Sequence, residues 1–288
     1  MTLPKISIVT PSYNQGPYIN WTARSVFLQR YPNLEYVMMD GGSKDETMAV
    51  LQPYAERFAH LSSERDKGQA DAIARGFART SGDIMAYLNS DDMLAPGTLH
   101  WVARFFAENP QVDAVYSHRC TVDSDNKVIW YWILPEHDDY LMCRWDLIPQ
   151  ETCFWRRSIY ERVGSVDPSY RFAMDYDLFV RIMQQGRMVR ANRFLGVFRE
   201  HEVSKTSTIM QTVGAEEIRK VWAKYGLTAA RWDWLRSARF YNRVIRDGCK
   251  FANARKQLPG CLPGVGYDYD ELWGGLLAGT GLPPRVAG

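Results

Sequence analysis

The sequence predicts an α/β fold: a mainly parallel twisted sheet flanked by helices, with a helical appendage at the C-terminus. Three observations carry that prediction. Short apolar runs with little strict alternation, Ile6-Ser-Ile-Val-Thr10, Leu34-Glu-Tyr-Val-Met-Met-Asp40 and Ile84-Met-Ala-Tyr-Leu88, have the character of strands covered on both faces. Helical spacing takes over between and after them, with Ala70, Ile73, Ala74 and Phe77, then Leu99, Val102, Ala103 and Phe106, each recurring at i, i+3, i+4 and i+7. The resulting β-α-β-α order with short connections favours a doubly wound sheet.

The later elements follow in chain order. Ala114-Val-Tyr116, Thr121-Val122 and Val128-Ile-Trp-Tyr-Trp132 read as strands, with Asp123-Ser-Asp-Asn126 as the turn between the last two. A helix is expected over about 175–185, ended by Gly186, and Phe194-Leu-Gly-Val-Phe198 is strand-like. The pattern predicts an ordered core over 1–207 that changes character near residue 110. A basic amphipathic helical segment over 208–257 and a loosely held Gly/Pro-rich tail over 258–288 follow.

The chain has 288 residues, 46% of them hydrophobic and 24% charged, which are globular proportions. No run approaches the roughly 18 apolar residues that a bilayer span requires, so a membrane-spanning protein and a disordered chain are both excluded. The N-terminus offers only a short apolar run, too brief for a secretory signal, which predicts a cytoplasmic protein. Five cysteines, never spaced as C-x-x-C, point to reduced packing residues. The net charge of +2 hides an asymmetry, because residues 219–256 carry eleven Lys or Arg against two acids. Arg236, Arg239, Arg243, Arg246 and Lys250 share one helical stripe, beside apolar positions and Trp232 and Trp234. That stripe suits an anionic membrane surface through 231–256, or equally a helix packed on the body with solvated arginines. Nucleic-acid binding is disfavoured by the acidic body and the lack of any recognised motif.

Ligands of open α/β sheets bind beyond the carboxyl ends of the strands. Here those ends read Thr10-Pro-Ser-Tyr-Asn14, Asp40-Gly-Gly-Ser-Lys-Asp45 and Asn89-Ser-Asp-Asp92. The Gly41-Gly42 turn permits close approach to Asp40, and Asp45 is placed to cap the next helix. Neither a G-x-x-x-x-G-K-[ST] loop nor a G-x-G-x-x-G loop is present, so P-loop and dinucleotide-binding readings lose their support. A nucleotide diphosphate would then be held through a divalent cation, for which Asp91 and Asp92 supply hard oxygen ligands. The alternative for this pair is an Asp-rich turn that caps the helix after Pro96.

At this point the residues carry a resemblance. Thr10-Pro-Ser-Tyr-Asn-Gln-Gly16, Ser25-Val26 with Gln29-Arg-Tyr-Pro32, Asp40-Gly-Gly-Ser-x-Asp-x-Thr47, Ser63-Glu-x-Asp-x-Gly68 with Asp71-Ala72, and Asn89-Ser-Asp-Asp92 fall in the order of one family. Gln150-Glu-Thr-x-Phe-Trp-Arg156, Met174-Asp-Tyr-Asp-Leu178 with Arg181, and Phe198-Arg-x-His201 with Ser204 continue it to about residue 207. The chain resembles the family 2 glycosyltransferases of GT-A fold, inverting enzymes that use nucleotide diphosphate sugars. The resemblance implies a nucleotide-sugar-binding part over about 1–110 and an acceptor part over about 111–207. It implies Pro11 and Tyr13 at the nucleobase, Asp40 at base or ribose, and Glu64, Asp66, Asp71, Asn89 and Ser90 around the donor.

Asp91 takes the last acidic position of what resembles the family's D-x-D motif, which makes it the metal ligand for Mn²⁺ or Mg²⁺, with His201 beside it and Asp92 as a further candidate. Asn89 departs from that motif, since an amide brings no charge. Asp175 is the expected catalytic base, although Met174 replaces the Glu that usually precedes it. Asp177 is the rival, and a helix-capping role is the alternative for Asp175. An ion pair with Arg75 at i+4 is the alternative for Asp71. Trp155, Gln150 and Glu151 are expected at the acceptor, with Trp130, Tyr131, Trp132 and Trp145 as stacking candidates. The implied activity is sugar transfer in assembly of a bacterial surface polysaccharide or similar glycan, on a lipid-linked acceptor at the inner face of the cell membrane if the basic stripe binds lipid. The rivals are an inert nucleotide-sugar-binding scaffold and a sugar-phosphate nucleotidyltransferase. The latter would want a basic, Gly-rich loop after the first strand, and Thr10 to Gly16 has no basic residue.

Overall fold

A computed structural model describes residues 3–202, 204, 208–227 and 266–279. The basic stripe at 231–256 and residues 280–288 of the tail lie outside the described residues. Four strands, β1 (Ile6–Ser12), β2 (Leu34–Asp40), β3 (His60–Ser63) and β4 (Ile84–Tyr87), run parallel in the order β3-β2-β1-β4. Helices α1 (Gly16–Phe27), α2 (Thr47–Leu51) and α3 (Gln69–Phe77) connect them. The two-residue β5 (Met93–Leu94) and α4 (Thr98–Glu108) close this half.

The sheet continues with a change of direction. β6 (Ala114–Val122) and β7 (Val128–Trp132) form an antiparallel pair around the predicted Asp123–Asn126 turn, where Asn126 adopts φ 64. After the single-turn α5 (Asp139–Met142), β8 (Phe154–Arg156) enters antiparallel between β4 and β6. α6 (Arg157–Val163) and α7 (Met174–Gln185) lead to β9 (Met188–Arg199), which runs parallel to β6 and antiparallel to β5. The predicted α/β class with a mainly parallel sheet is what the chain adopts. The polar centre of β6, Ser117-His118-Arg119, hid the fact that the two runs on either side belong to one strand.

Both sheet faces are covered, which accounts for the unalternated strands. Ile6 and Ile8 of β1 pack with Ile19, Ala23 and Val26 of α1 and Leu99 and Val102 of α4. Val9 points to the other face, with Ile73 and Phe77 of α3, Ile159 of α6 and Phe179 of α7. α3 lies so close to β1 that a Cβ on Gly76 would meet Val9 Cγ1 at 2.5 Å, so only glycine fits there.

Residues 208–227, where the sequence suggests an appendage begins, instead belong to this core. A π-helical turn (Met210–Gly214) feeds α8 (Ala215–Lys224), whose Val221 is buried with the α7 residues. Part of the expected loose tail is also docked. Tyr269, Trp273 and Leu277 pack against Leu28, Cys120 and Val128, and Arg24 Nε donates to the Leu276 carbonyl at 2.9 Å. Composition alone suggests looseness for a Gly/Pro-rich stretch, but the buried aromatic residues within it fasten it down. Among the described residues no helix is long and apolar enough to cross a membrane.

Candidate active site

A cavity of about 1190 Å³ opens at the carboxyl ends of β1 to β4. Pro11, Tyr13, Glu64, Asp66, Asn89, Ser90 and Asp91 line it, as expected from the sequence. The loops that form it are knitted together by local chemistry. Lys44 N–H donates to Asn14 Oδ1 at 2.8 Å, and Asn14 N–H donates to Ser43 Oγ at 2.7 Å, which fastens the first strand-end loop to the second. Asp45 accepts from the N–H of Gly16 and of Thr47, holding the start of α1 and its own helix with one carboxylate. Gly42, at φ +83, makes the tight turn, and a Cβ on Gly41 would meet Asp66 Oδ2 at 2.8 Å. Tyr13 is 59% exposed, so its ring is available to stack on a flat ligand.

Asp91 lines the cavity, and His201, buried and not among the lining residues, places Nε2 3.0 Å from Asp91 Oδ2. Arg199, fully buried, donates from Nε to the Asp91 carbonyl and from Nη1 to the Asp123 carbonyl, both at 3.0 Å, so β9 fixes the backbone beneath the pair. The His201 ring packs against Tyr18 with centroids 4.6 Å apart. Among the described residues no cluster of three or more His, Cys, Asp or Glu could cage a metal. A divalent cation here would take Asp91 as its carboxylate, with His201 beside it and diphosphate oxygens and water as the other ligands.

Residues 7–164, more than half of the chain, match the profile of Glycosyl transferase family 2. The chain belongs to that family. A Mycobacterium bovis PGL/p-HBAD biosynthesis glycosyltransferase is 28% identical over 66% of this chain and 73% of its own. An uncharacterized glycosyltransferase of Rickettsia typhi is 23% identical over 77% of this chain and 71% of its own. The mannosyltransferase PcManGT of Pyrobaculum calidifontis, solved with GDP-Man and Mn²⁺, superposes with TM-score 0.60 at 19% identity, covering 96% of this chain and 80% of that one. S. aureus TarS residues 1–349, solved with UDP-GlcNAc, gives TM-score 0.60 at 16% identity over 88% of this chain and 80% of that one. The chain spans 45% of the longer TarS chain that it also matches. These likenesses confirm the GT-A fold, and the family makes the protein a nucleotide-sugar-dependent, hexosyltransferase-like glycosyltransferase.

Within this glycosyltransferase, several expected site residues turn inward. Asp40 is only 2% exposed, and its carboxylate accepts from Gly42 N–H, Ser43 N–H, Ser43 Oγ and Ser63 Oγ. It ties the loop after β2 to β3 and does not line the cavity, because its oxygens are already engaged. Asp71 also lies off the wall, accepting from Lys67 N–H at 3.2 Å with Arg75 at 3.9 Å, as the ion-pair alternative has it. Asp92 faces the interior, taking Arg199 N–H at 3.0 Å and the Asn89 amide at 3.2 Å. Burial first, and then Asp91 and Glu151, push its carboxyl well above the usual range, and Asp92 is not among the residues that line the cavity. The Asn89 amide is held between Asp92 and Gln69 Nε2, the latter at 2.6 Å.

The acceptor residues expected from the sequence are corrected in the same way. Trp155 has no exposed surface and packs among Phe77, Tyr87, Tyr160 and Phe179. Gln150 is buried and donates to the Tyr87 carbonyl at 2.6 Å, steadying the end of β4. Glu151 forms a two-pronged pair with Arg119 at 2.8 and 2.9 Å. Burial works against the Arg119 charge, but the Glu151 carboxylate outweighs it and raises the guanidinium above its ordinary range. The accessible aromatic surface lies on β7, where Trp130 is 42% exposed and 6.4 Å from Trp132.

Asp175 sits half-buried in the first turn of α7. It is not among the cavity-lining residues, although Pro168, Tyr170 and Arg171, just before α7, are. Burial first, and then the charges of Asp175 and Asp146, push the Tyr87 hydroxyl far up. Asp177, the rival, is wholly buried and bound by Arg181, Lys224 and Tyr225. The sequence reading missed Lys44, Arg65, Lys67 and Arg171, all of which line the cavity. The first three occupy the x positions of motifs already noted, and basic residues in strand-end loops were the signal that could have found them.

Proposed function

We propose that the enzyme moves a sugar from a nucleotide diphosphate sugar to an acceptor hydroxyl with inversion, in assembly of a bacterial surface polysaccharide or related glycan. The observation that carries this reading is Asp91, paired with His201, in a cavity that Pro11, Tyr13, Lys44, Arg65 and Lys67 also line. Flat aromatic surface suits a nucleobase, and basic side chains suit a diphosphate. The UDP-GlcNAc bound to TarS, the GDP-Man and Mn²⁺ bound to PcManGT, and the PGL/p-HBAD biosynthesis assignment of the mycobacterial relative point the same way.

In the proposed chemistry the acceptor oxygen attacks the anomeric carbon from the face opposite the diphosphate. The new C–O bond forms as the bond to the diphosphate oxygen breaks, and that electron pair leaves with the nucleotide. Asp175 takes the acceptor proton, since Asp177 is locked in ion pairs. Asp91 and His201 would hold a cation that, when bound, neutralises charge on the leaving diphosphate. Trp130 and Trp132 offer the acceptor a stacking surface. The basic stripe at 231–256 would bring the enzyme to an anionic membrane carrying a lipid-linked acceptor.

The test is a thermal-shift screen of UDP, GDP, CDP and dTDP sugars, with Mn²⁺ and with chelator. One nucleotide class is expected to raise Tm in a concentration-dependent way, more strongly with Mn²⁺, because a ligand at 100 times its Kd stabilises by ~2.7 kcal/mol. No shift with any donor would remove the reading.

A further inference from the structure

The turn that carries Asp175 into place is held from outside its own segment. Arg171, Phe172 and Ala173 aim three consecutive backbone N–H groups at a single acceptor, the Glu217 carboxylate of α8, at 2.9, 2.8 and 3.0 Å. Glu217 is only 6% exposed. Successive N–H groups converging on one point form an anion-binding concavity, and the N-terminus of α7 adds its dipole to the same spot. The approach of α8 is close, since a Cβ on Gly214 would meet the Phe172 ring at 2.9 Å.

Farther along α7, other ties join the same two helices. Trp222 Nε1 donates to Tyr176 Oη at 2.8 Å, and Lys224 Nζ and Tyr225 Oη both donate to Asp177 Oδ1 at 2.8 Å. These fasten the helices together without touching the turn. Glu217 grips the backbone of Arg171 to Ala173, between the cavity-lining Tyr170 and Asp175.

We propose that Glu217 is a positioning residue for sugar transfer: its carboxylate sets the 171–173 turn and thereby the direction in which Asp175 meets the acceptor hydroxyl. This rests on Asp175 being the base. The segment that the sequence suggests is an appendage thus supplies a working part of the site. Pro11, Tyr13 and Asp91 stand on other elements, so these nucleotide contacts do not depend on the grip.

The experiment compares Glu217→Gln, Tyr225→Phe and Asp175→Asn in the full chain, using the nucleotide sugar that the screen selects. Glutamine keeps the shape but offers one acceptor oxygen to three donors. Glu217→Gln is expected to lower kcat by about 10–100-fold while the Kd for the free nucleotide diphosphate stays within about threefold. Tyr225→Phe, which loosens the same helix pair at Asp177, is expected to lower Tm comparably and leave kcat within about twofold. Glu217→Asp, with the charge kept and the reach shortened, should recover part of the rate. The proposal is overturned if Glu217→Gln turns over like wild type while Asp175→Asn is inactive, or if Tyr225→Phe loses as much rate as Glu217→Gln. A fully active Asp175→Asn overturns the assignment of the base, and the role of Glu217 with it. If Glu217→Gln does not fold, the kcat and Kd of Glu217→Asp decide by the same criteria.

Discussion

The two halves of the sheet solve the problem of charge in opposite ways. In the half built on β1 to β4, the ion pairs between side chains stay near the cavity rim, although Asp40 is sunk beneath it. Glu64 and Arg75 pair at 3.1 Å with 66% and 31% of their side chains exposed. In the half built on β6 to β9, charges are sunk into the protein. Arg119 and Glu151 pair at 2.8 Å with 16% and 1% exposed, and Asp177 lies fully buried between Arg181 and Lys224. The first half keeps Lys44, Glu64, Arg65, Asp66 and Lys67 available to a mobile ligand. The second spends them on holding Asp175, β8 and the start of β9 in fixed relation. The donor side is therefore a receptive surface on a parallel scaffold, and the acceptor side is a rigid polar frame.

The sharpest way to break this comparison is at the base. Asp175→Asn is expected to lower transfer by ~10²–10⁴-fold while nucleotide binding by thermal shift stays as in wild type. A variant turning over within severalfold of wild type would mean that the frame of the second half positions some other group. Next in size is the contrast between the two ion pairs. Arg119→Met leaves a buried carboxylate alone and should cost ~3–5 kcal/mol of stability. Arg75→Met, at the solvated pair, should cost no more than ~1 kcal/mol. Denaturant unfolding of both variants measures the difference, and equal costs would erase the distinction between rim and frame.

The same contrast explains what could be read from the chain in advance. In the first half the strands are apolar runs and the ligand loops are short stretches at their ends, so β1, β2, β4, Pro11, Tyr13, Asp66 and Asp91 were all legible. Asp40 was half legible: its local partners Gly42 and Ser43 belong to an Asp-Gly-Gly-Ser turn, but Ser63 comes from another strand. In the second half the buried polar residues broke the pattern. Ser117 and His118 are almost wholly buried inside β6 because Thr152, Leu134 and Asn192 supply hydrogen-bond partners that no spacing rule reveals. Trp155 beside Gln150 and Glu151 reads as an acceptor site until the packing around its ring is seen. The choice of Asp175 over Asp177 came from the resemblance; helical geometry adds only that residues two apart point to different sides, and Asp177 is buried in ion pairs.

The smallest expected effect tests whether the frame tolerates its own crowding. Asp146 lies within reach of Asp175 and Arg119, and burial first, then the Asp175 charge, push its carboxyl well above the ordinary range, with Arg119 opposing. A carboxyl with a higher pKa in the folded state than in the unfolded chain holds its proton more tightly when folded. Its contribution to stability is complete below about pH 4, near the unfolded value, and is lost as pH rises through the folded value. Wild type should therefore lose stability over that interval, and Asp146→Asn, neutral throughout, should not lose this share of it. The Tm curves of the two proteins should meet at about pH 4 and separate toward pH 8, with the variant higher by on the order of 2–4 °C for each kcal/mol relieved. Curves that stay parallel across that range would show that Asp146 is ionised and at ease in the folded protein. The acceptor side would then hold its charges with less strain than its burial implies.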